Sequence, residues 1–239
     1  MTEYTPDSPL VSIVIPAFNE EKTLPSALEK IAKQTYSHFE VIIADNNSTD
    51  KTSHIAWEFG AKVIPVTKLG YVYALNAGMK SALGEIIAVT DADTLVYPNW
   101  LEEIVQTFTY PDIVGVTGSI QIAGSGFQAR TSDFFYSIFL AVNFLIGKPH
   151  LVGFNFAVLR KPFSAIGGLD ERFIMSPDVD LGMRLKKHGR IIYNRQMKVS
   201  PSLRRWKNNP VKAIVEYARG YFYAIWLRTP LPVKQEIIR

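Results

Sequence analysis

Four short β-rich apolar runs alternate with helical patterns through the first hundred residues, and this rhythm limits what the chain can fold into more than any other feature. The runs are VSIVIPA, FEVIIAD, KVIPV and EIIAVTD. Helical spacing follows each of them, at roughly 20–34, 49–59, 70–83 and 98–108; in the first, Leu24, Leu28 and Ile31 share a face. Strands that are apolar throughout are covered on both sides, and strands joined through helices run parallel. The pattern therefore predicts an α/β fold with a mostly parallel, doubly wound central sheet and helices on both faces. Ligands of such sheets bind beyond the carboxyl ends of the strands. Three polar segments stand there: PAFNEE after the first strand, DNNSTD after the second and DADT after the fourth. Each alone suits a turn or a helix entry. Together they predict one rim.

The stretch EIIAVTDADTLV, residues 85–96, places Asp91 and Asp93 two positions apart where the apolar run stops. Alternation along a strand would send both carboxylates to one side, where they repel unless a cation lies between them. An isolated pair of this kind is more often a pair of solvated acids in a turn. Its place on a shared rim favours the cation.

Beyond residue 110 the pattern changes. DIVGVTGSIQIAG reads as one or two strands. DFFYSIFLAVNFLIG reads as an apolar helix of about four turns, capped by Asp133 and stopped by Gly147, which is too short to span a bilayer. It is expected in the core; at an interface, Phe134, Phe135, Phe139 and Phe144 would form an aromatic surface. PDVDLGMRLKKHG opens with acids and closes with bases, as the helix dipole favours. A last helix starts with Asn209 as N-cap and Pro210 and runs to about Arg228. Its apolar positions Val211, Ile214, Val215, Ala218, Tyr221, Phe222, Ile225 and Trp226 lie opposite Lys212, Glu216 and Arg219, and packing on its own domain is expected.

Composition narrows the function. The chain of 239 residues has no cysteine, which excludes disulfides, thiolate metal sites and a cysteine nucleophile. The net charge of +4 hides an asymmetry: residues 184–239 hold 14 Lys and Arg against two acids, and the first 183 residues hold 12 against 20. Such a block suits nucleic acid, anionic lipid or a phosphorylated ligand. The opening MTEYTPDSPL has neither the basic nor the apolar region of a signal peptide, so a cytoplasmic place is expected, with peripheral attachment to the inner face of the cell membrane as a further expectation.

The order of these segments resembles glycosyltransferase family 2, inverting nucleotide-sugar transferases of the GT-A fold. The resemblance rests on VSIVIPAFNEEKTL, VIIADNNSTDKT, GYVYALNAGMKSALGEIIAVTDADT, GFNFAVLRKPFSAIGGLDERF and PDVDLGMRLKKHG, in that order. It implies a single domain over 11–206, with a nucleotide-sugar half at 11–110 and an acceptor and catalytic half at 111–206. A polar tail at 1–10 and an amphipathic helix and tail at 207–239 flank it. By this likeness Pro16, Ala17, Phe18, Asn19, Glu20 and Asp45 hold the nucleoside, with Lys68 and Gly70 as weaker members of the same pocket. Asp91, Ala92 and Asp93 form the DxD motif, with Asp91 and Asp93 holding Mn2+ or Mg2+ and Asp93 the direct ligand. Asp178 is the general base, with Asp180 in reserve. Gly153, Asn155, Arg204, Arg205 and Trp206 are weaker candidates for contacts to the diphosphate or acceptor.

The chemistry is coherent without the family. A nucleoside diphosphate leaves poorly unless the charge growing on its phosphates is neutralised, and paired carboxylates favour a hard divalent ion shared with those phosphates. An acceptor hydroxyl needs a positioned base. Three departures from the family pattern stand out: Pro177 replaces the usual acid before the base, Asn46 and Asn47 replace Asp-Gly, and SLRRW has Ser202 where processive synthases carry Gln. The last favours addition of one sugar. The expected partners are a UDP- or GDP-linked sugar, a lipid-linked or glycan acceptor and a membrane surface, and no nucleic acid, for which no reading motif is present. A haloacid-dehalogenase phosphatase would need Thr or Val at position 95, which is Leu95, and a nucleotidyltransferase would need a glycine-rich phosphate loop in place of IPAFNEE. The non-enzymatic alternative is a silent sugar-nucleotide or membrane-surface binding module.

Overall fold

Strand and helix alternate from residue 11 to residue 89 as the apolar runs predict. The computed structural model describes residues 8–121, 127–202, 204 and 210–231. Its first half comprises β1 (Val11–Ala17), α1 (Leu24–Ala32), β2 (Phe39–Asp45), α2 (Thr52–Glu58), β3 (Lys62–Pro65), α3 (Tyr71–Lys80) and β4 (Ile86–Val89). β3, β2, β1 and β4 lie side by side and parallel. The second half comprises β5 (Thr94–Val96), α4 (Trp100–Thr107), β6 (Ile113–Ile120), α5 (Phe127–Leu145), β7 (Phe156–Leu159), α6 (Arg160–Ala165), α7 (Pro177–Leu185), β8 (Arg190–Pro201) and α8 (Pro210–Phe222), which ends in a π-helical turn at Tyr223–Leu227.

All eight strands join one sheet in the order β3-β2-β1-β4-β7-β6-β8-β5. β7 runs antiparallel to both β4 and β6, β6 and β8 are parallel, and β5 is antiparallel to β8. Helices cover both faces. On one, Leu24, Leu28 and Ile31 of α1 and Trp100, Leu101 and Ile104 of α4 pack on Ile13, Ile15, Ile86 and Ala88. On the other, Val72, Leu75 and Met79 of α3, Phe163 of α6 and Leu181 and Leu185 of α7 pack on Val14, Ile87 and Val89. Adjacent residues of β4 thus feed opposite layers, as the two-residue strand period requires.

The sheet must curl. β4 and β5 are consecutive in the chain, yet three strands separate them in the sheet. Four flat inter-strand steps of ~4.8 Å would need ~19 Å, whereas Thr90 to Asp93 even fully stretched span about 17 Å between Val89 and Thr94. They are not stretched, because the Thr94 amide donates to the Asp91 carbonyl at 3.1 Å in a turn. Bending of the sheet brings β5 back toward β4.

That turn corrects one expectation. β4 ends at Val89, so Asp91 and Asp93 lie in a turn, where strand alternation does not set their directions; Ala92 between them is buried. Two helices also differ. α5 begins at Phe127, so Asp133 lies inside the helix and does not cap it. Phe139 and Phe144 turn inward rather than forming a surface, Phe139 against His150 and Tyr221 and Phe144 against the second core layer; the side chains of Phe134 and Phe135 lie outside the described residues. On α8 and its π turn the expected apolar face is only partly buried: Ile225 is covered and Tyr221 half-buried, whereas Val215, Ala218, Phe222 and Trp226 are exposed. Asn209 and the side chains of Val211, Lys212 and Ile214 lie outside the described residues.

Candidate active site

The loops after β1 and β2 are laced into one another. The Asn19 amide donates to Ser48 Oγ at 2.9 Å, Asn19 Oδ1 accepts from the Thr49 amide at 2.8 Å, and the Glu20 amide donates to Thr52 Oγ1 at 2.8 Å. The Glu21 amide reaches Asp50 Oδ2 at 3.1 Å. Asn19 and Asn47 both adopt left-handed backbone, with φ of 53° and 67°, a conformation that asparagine tolerates better than most residues. Asn47 therefore meets the demand that a glycine would meet there. Pro16 and Ala17 close β1 and are buried, so they offer a wall rather than a polar side chain. Asp45 is also buried: its Oδ1 accepts from the Ser48 amide at 3.0 Å and its Oδ2 from the Ser53 hydroxyl.

Asn46 ties the loop after β2 to the segment that leads into α3. Its Nδ2 donates to the carbonyls of Val66 at 3.0 Å and Lys68 at 2.8 Å, and its Oδ1 accepts from the Gly70 amide at 2.7 Å. This asparagine is a clasp for the loop that carries Lys68 and Gly70. The Lys68 ammonium lies 3.7 Å over the Tyr73 ring and 3.6 Å from Glu171 Oε2.

The DxD turn meets both halves of the molecule. Register Thr94↔Pro201 in the β5–β8 pair sets the chain after β8 beside Asp93. Arg204 Nη2 lies 2.6 Å from Glu20 Oε1 and 3.4 Å from Asp93 Oδ2, tying the first loop to the turn. The Asp93 contact is long and the guanidinium half-exposed; such pairs are worth little beside the attraction of a doubly charged ion. Arg205 and Trp206 lie outside the described residues. On the other side, the Tyr71 hydroxyl stands 3.3 Å from Asp91 Oδ1 and 3.2 Å from the Gly153 carbonyl. Gly153 in turn faces the acid of α7: a Cβ added there would lie 3.1 Å from Asp178 Oδ2.

Asp178 is the second residue of α7. Pro177 occupies the first position, where its missing amide costs nothing, and Ser176 before it is left-handed at φ 60°. Burial pushes the Asp178 carboxyl up to about 6, against backbone hydrogen bonds from Val179, Asp178 itself and Gly153 that favour the ion. His150 Nε2 lies 3.9 Å from Asp178 Oδ2, and its own burial lowers that imidazole to about 3, so it is neutral at ordinary pH. Asp180 is engaged elsewhere. Arg184 Nε donates to its Oδ2 at 2.7 Å, and the same guanidinium holds the carbonyls of Ile166 and Gly168.

Asn155 does not belong to the site. It is fully buried; its Oδ1 accepts from Trp100 Nε1 at 2.8 Å and its Nδ2 donates to the carbonyls of Ser119 and Met197. The amide joins α4, β6 and β8, which leaves it nothing to offer a ligand. Tyr71 and His150 are not visible as site residues in the sequence. Each is a single residue without periodic or spaced partners; the fold brings Tyr71 beside Asp91 and Gly153, and His150 beside Asp178.

The sequence matches the model of the family described as glycosyl transferase family 2 over residues 12–167. The chain belongs to glycosyltransferase family 2. Among curated relatives, a glycosyltransferase of Haloferax volcanii is 33% identical over 137 residues, covering 53% of this chain and 45% of its own length. A Methanococcus voltae enzyme named dolichyl N-acetyl-α-D-glucosaminyl phosphate 3-β-D-2,3-diacetamido-2,3-dideoxy-β-D-glucuronosyltransferase is 26% identical, over 91% of this chain and 77% of its own. The chain thus spans less than half of the Haloferax relative. A mannosyltransferase of Pyrobaculum calidifontis, solved with GDP-Man and Mn2+, superposes with a TM-score of 0.77 at 21% identity, covering 95% of this chain and 66% of that one. Glucosyl-3-phosphoglycerate synthase of Mycobacterium tuberculosis, solved with Mn2+ and UDP, gives 0.67 at 20% identity, covering 95% and 82%. The fold of this family 2 glycosyltransferase is therefore GT-A, as the resemblance implied.

Proposed function

We propose that this chain moves one sugar from a UDP- or GDP-linked donor to an acceptor hydroxyl or phosphate, with inversion at the transferred carbon and with Mn2+ or Mg2+. The observation that carries the reading is the proximity of the two acidic centres: one tyrosine hydroxyl, that of Tyr71, touches both Asp91 and the Gly153 carbonyl, and Gly153 stands against Asp178. Paired carboxylates are a hard donor set that fits either ion. Among the described residues no third His, Asp or Glu completes a metal cluster, so diphosphate oxygens and water would supply the other ligands. Such an ion, held by Asp93 with Asp91 beside it, would neutralise charge on the departing diphosphate. Asp45, Asn46 and residues 16–20 border the space for the nucleoside, Arg204 offers a guanidinium fork to phosphate oxygens, and Asp178 takes the acceptor proton. A single base facing a single displacement gives inversion.

The acceptor we favour is lipid-linked, in keeping with the dolichyl phosphate sugar named for the Methanococcus relative. A thermal-shift panel of UDP, GDP, dTDP and CDP with and without Mn2+ tests the donor reading. One diphosphate at a hundred times its Kd stabilises the fold by about 2.7 kcal/mol, or roughly 5–10 °C for a chain of this size. Asp93→Ala should abolish the metal dependence, and Asp178→Asn should keep binding and lose transfer. Transfer retained by Asp178→Asn would move the base elsewhere. Binding with neither transfer nor donor hydrolysis across a broad acceptor screen would favour the silent binding module.

A further inference from the structure

We infer that the outer side of α5 and α8 is a docking surface for an anionic lipid bilayer, centred on Trp226 and Lys148. Among the described residues, α5 exposes Ile138, Ala141, Val142 and Leu145, spaced i, i+3, i+4 and i+7, and Leu145 is 85% exposed. The outward stripe of a helix on a water-facing surface is normally polar. α8 repeats the pattern with Val215, Ala218 and Phe222, continued by Trp226, which is 59% exposed, and Leu227. Between the stripes runs a seam in which the rings of Phe139, His150 and Tyr221 meet edge-on or tilted, with centroids 5.5–5.7 Å apart, and the Tyr221 hydroxyl donates to Asn143. These contacts tie α5 to α8, so the apolar stripes belong to neighbouring helices.

Charge selects the occupant. The Lys148 ammonium lies 2.7 Å over the Trp226 ring. Lys186 Nζ donates to the carbonyl of Gly147, the residue before Lys148, at 2.6 Å, and Arg228 follows Trp226 by two residues, so three cations share this end of the surface; desolvation, then repulsion from the other two, lowers the Lys148 pKa. None of the three forms an ion pair with an acid among the described residues. An indole flanked by bases beside aliphatic stripes is the arrangement that sits at the headgroup level of a bilayer, its rings in the acyl boundary and its cations among anionic headgroups. No helix among the described residues is long and apolar enough to cross a membrane. The surface also adjoins the base: a Cβ at Gly220 would lie 2.9 Å from Met175 and 3.0 Å from Ser176, the turn that leads into Asp178.

Flotation of the full chain on vesicles tests this without turnover, so its outcome is independent of the donor reading. Vesicles of phosphatidylcholine alone are compared with equal parts phosphatidylcholine and phosphatidylglycerol, at low and at physiological salt. The protein should float with the anionic vesicles, more strongly at low salt. Lys148→Glu and Arg228→Glu should each weaken partition by roughly fivefold or more, and Trp226→Ala with Leu145→Ser should weaken it at both salts. Trp57→Ala, at a tryptophan 72% exposed on α2, should not. Each variant is checked for an unchanged melting temperature. Equal recovery on neutral and anionic vesicles, or an equal loss with Trp57→Ala, would overturn the proposal. So would a dimer in light scattering that Leu145→Ser dissolves while vesicles go unbound, since the occupant would then be a second copy of the chain.

Discussion

Asp178 stands at a helix N-terminus, where a carboxyl should ionise readily, yet burial holds it at about 6. As the proposed general base Asp178 acts as the carboxylate, so kcat/KM should rise with pH through about 6 and then level off, a limb that Asp178→Asn should remove along with roughly 10²–10⁴ of the rate. The stability sign follows from the direction of the shift. A carboxyl raised on folding prefers the neutral form in the folded state, so its contribution is full below about 3.8 and is lost as pH rises through about 6. Asp178→Asn should therefore be more stable than the parent above pH 6, by on the order of 2–3 kcal/mol in urea titrations. Arg204 offers a second test. It lies against Asp93 and is the proposed partner of the donor phosphates, so Arg204→Ala should lower the Mn2+ needed for half-maximal rate a few-fold while raising the donor KM about tenfold, as expected for one charged hydrogen bond. The paired aspartates were legible because they end an apolar run. Tyr71 was not, since only the fold brings a lone tyrosine beside Asp91.

Elements were legible where hydrophobic period and length agreed. α1 buries Leu24, Ala27, Leu28 and Ile31, the face its spacing announces. β8 was missed because RIIYNRQMKVSP alternates poorly: Ile191, Met197 and Val199 are its only buried apolar residues, and its pairing with β6 slips between Gly118 and Ser119. The antiparallel entry of β7 between β4 and β6 leaves no local trace either, since strand order is decided by which edges remain open. That entry depends on Asn155, whose amide is shared among α4, β6 and β8. Asn155→Ala strands three buried partners, at ~1–3 kcal/mol for each unsatisfied group, and should lower unfolding stability by at least about 3 kcal/mol in denaturant. Nucleotide affinity of the folded fraction should hardly change, an outcome that separates a scaffold residue from a ligand contact.

At the scale of the whole molecule, the sequence carried its charge asymmetry openly but not where the charge would gather. An acidic first three-quarters and a basic remainder meet at the rim, where Arg204 bridges to Glu20 and Asp93, whereas just past the end of α5 Lys148 of the first part gathers with Lys186 and Arg228 of the second. The curl of the sheet has a wider reach. Because Thr90 to Asp93 strap β4 to the opposite edge strand, the residues that would grip the donor also close the sheet upon itself. Filling that strap should act like tightening a drawstring: amide protons of β5 and β8, far along the ladder from any nucleoside contact, should exchange with deuterium more slowly once donor and Mn2+ are added. If protection stays confined to the loops after β1 and β2, the two edges breathe independently of the cargo.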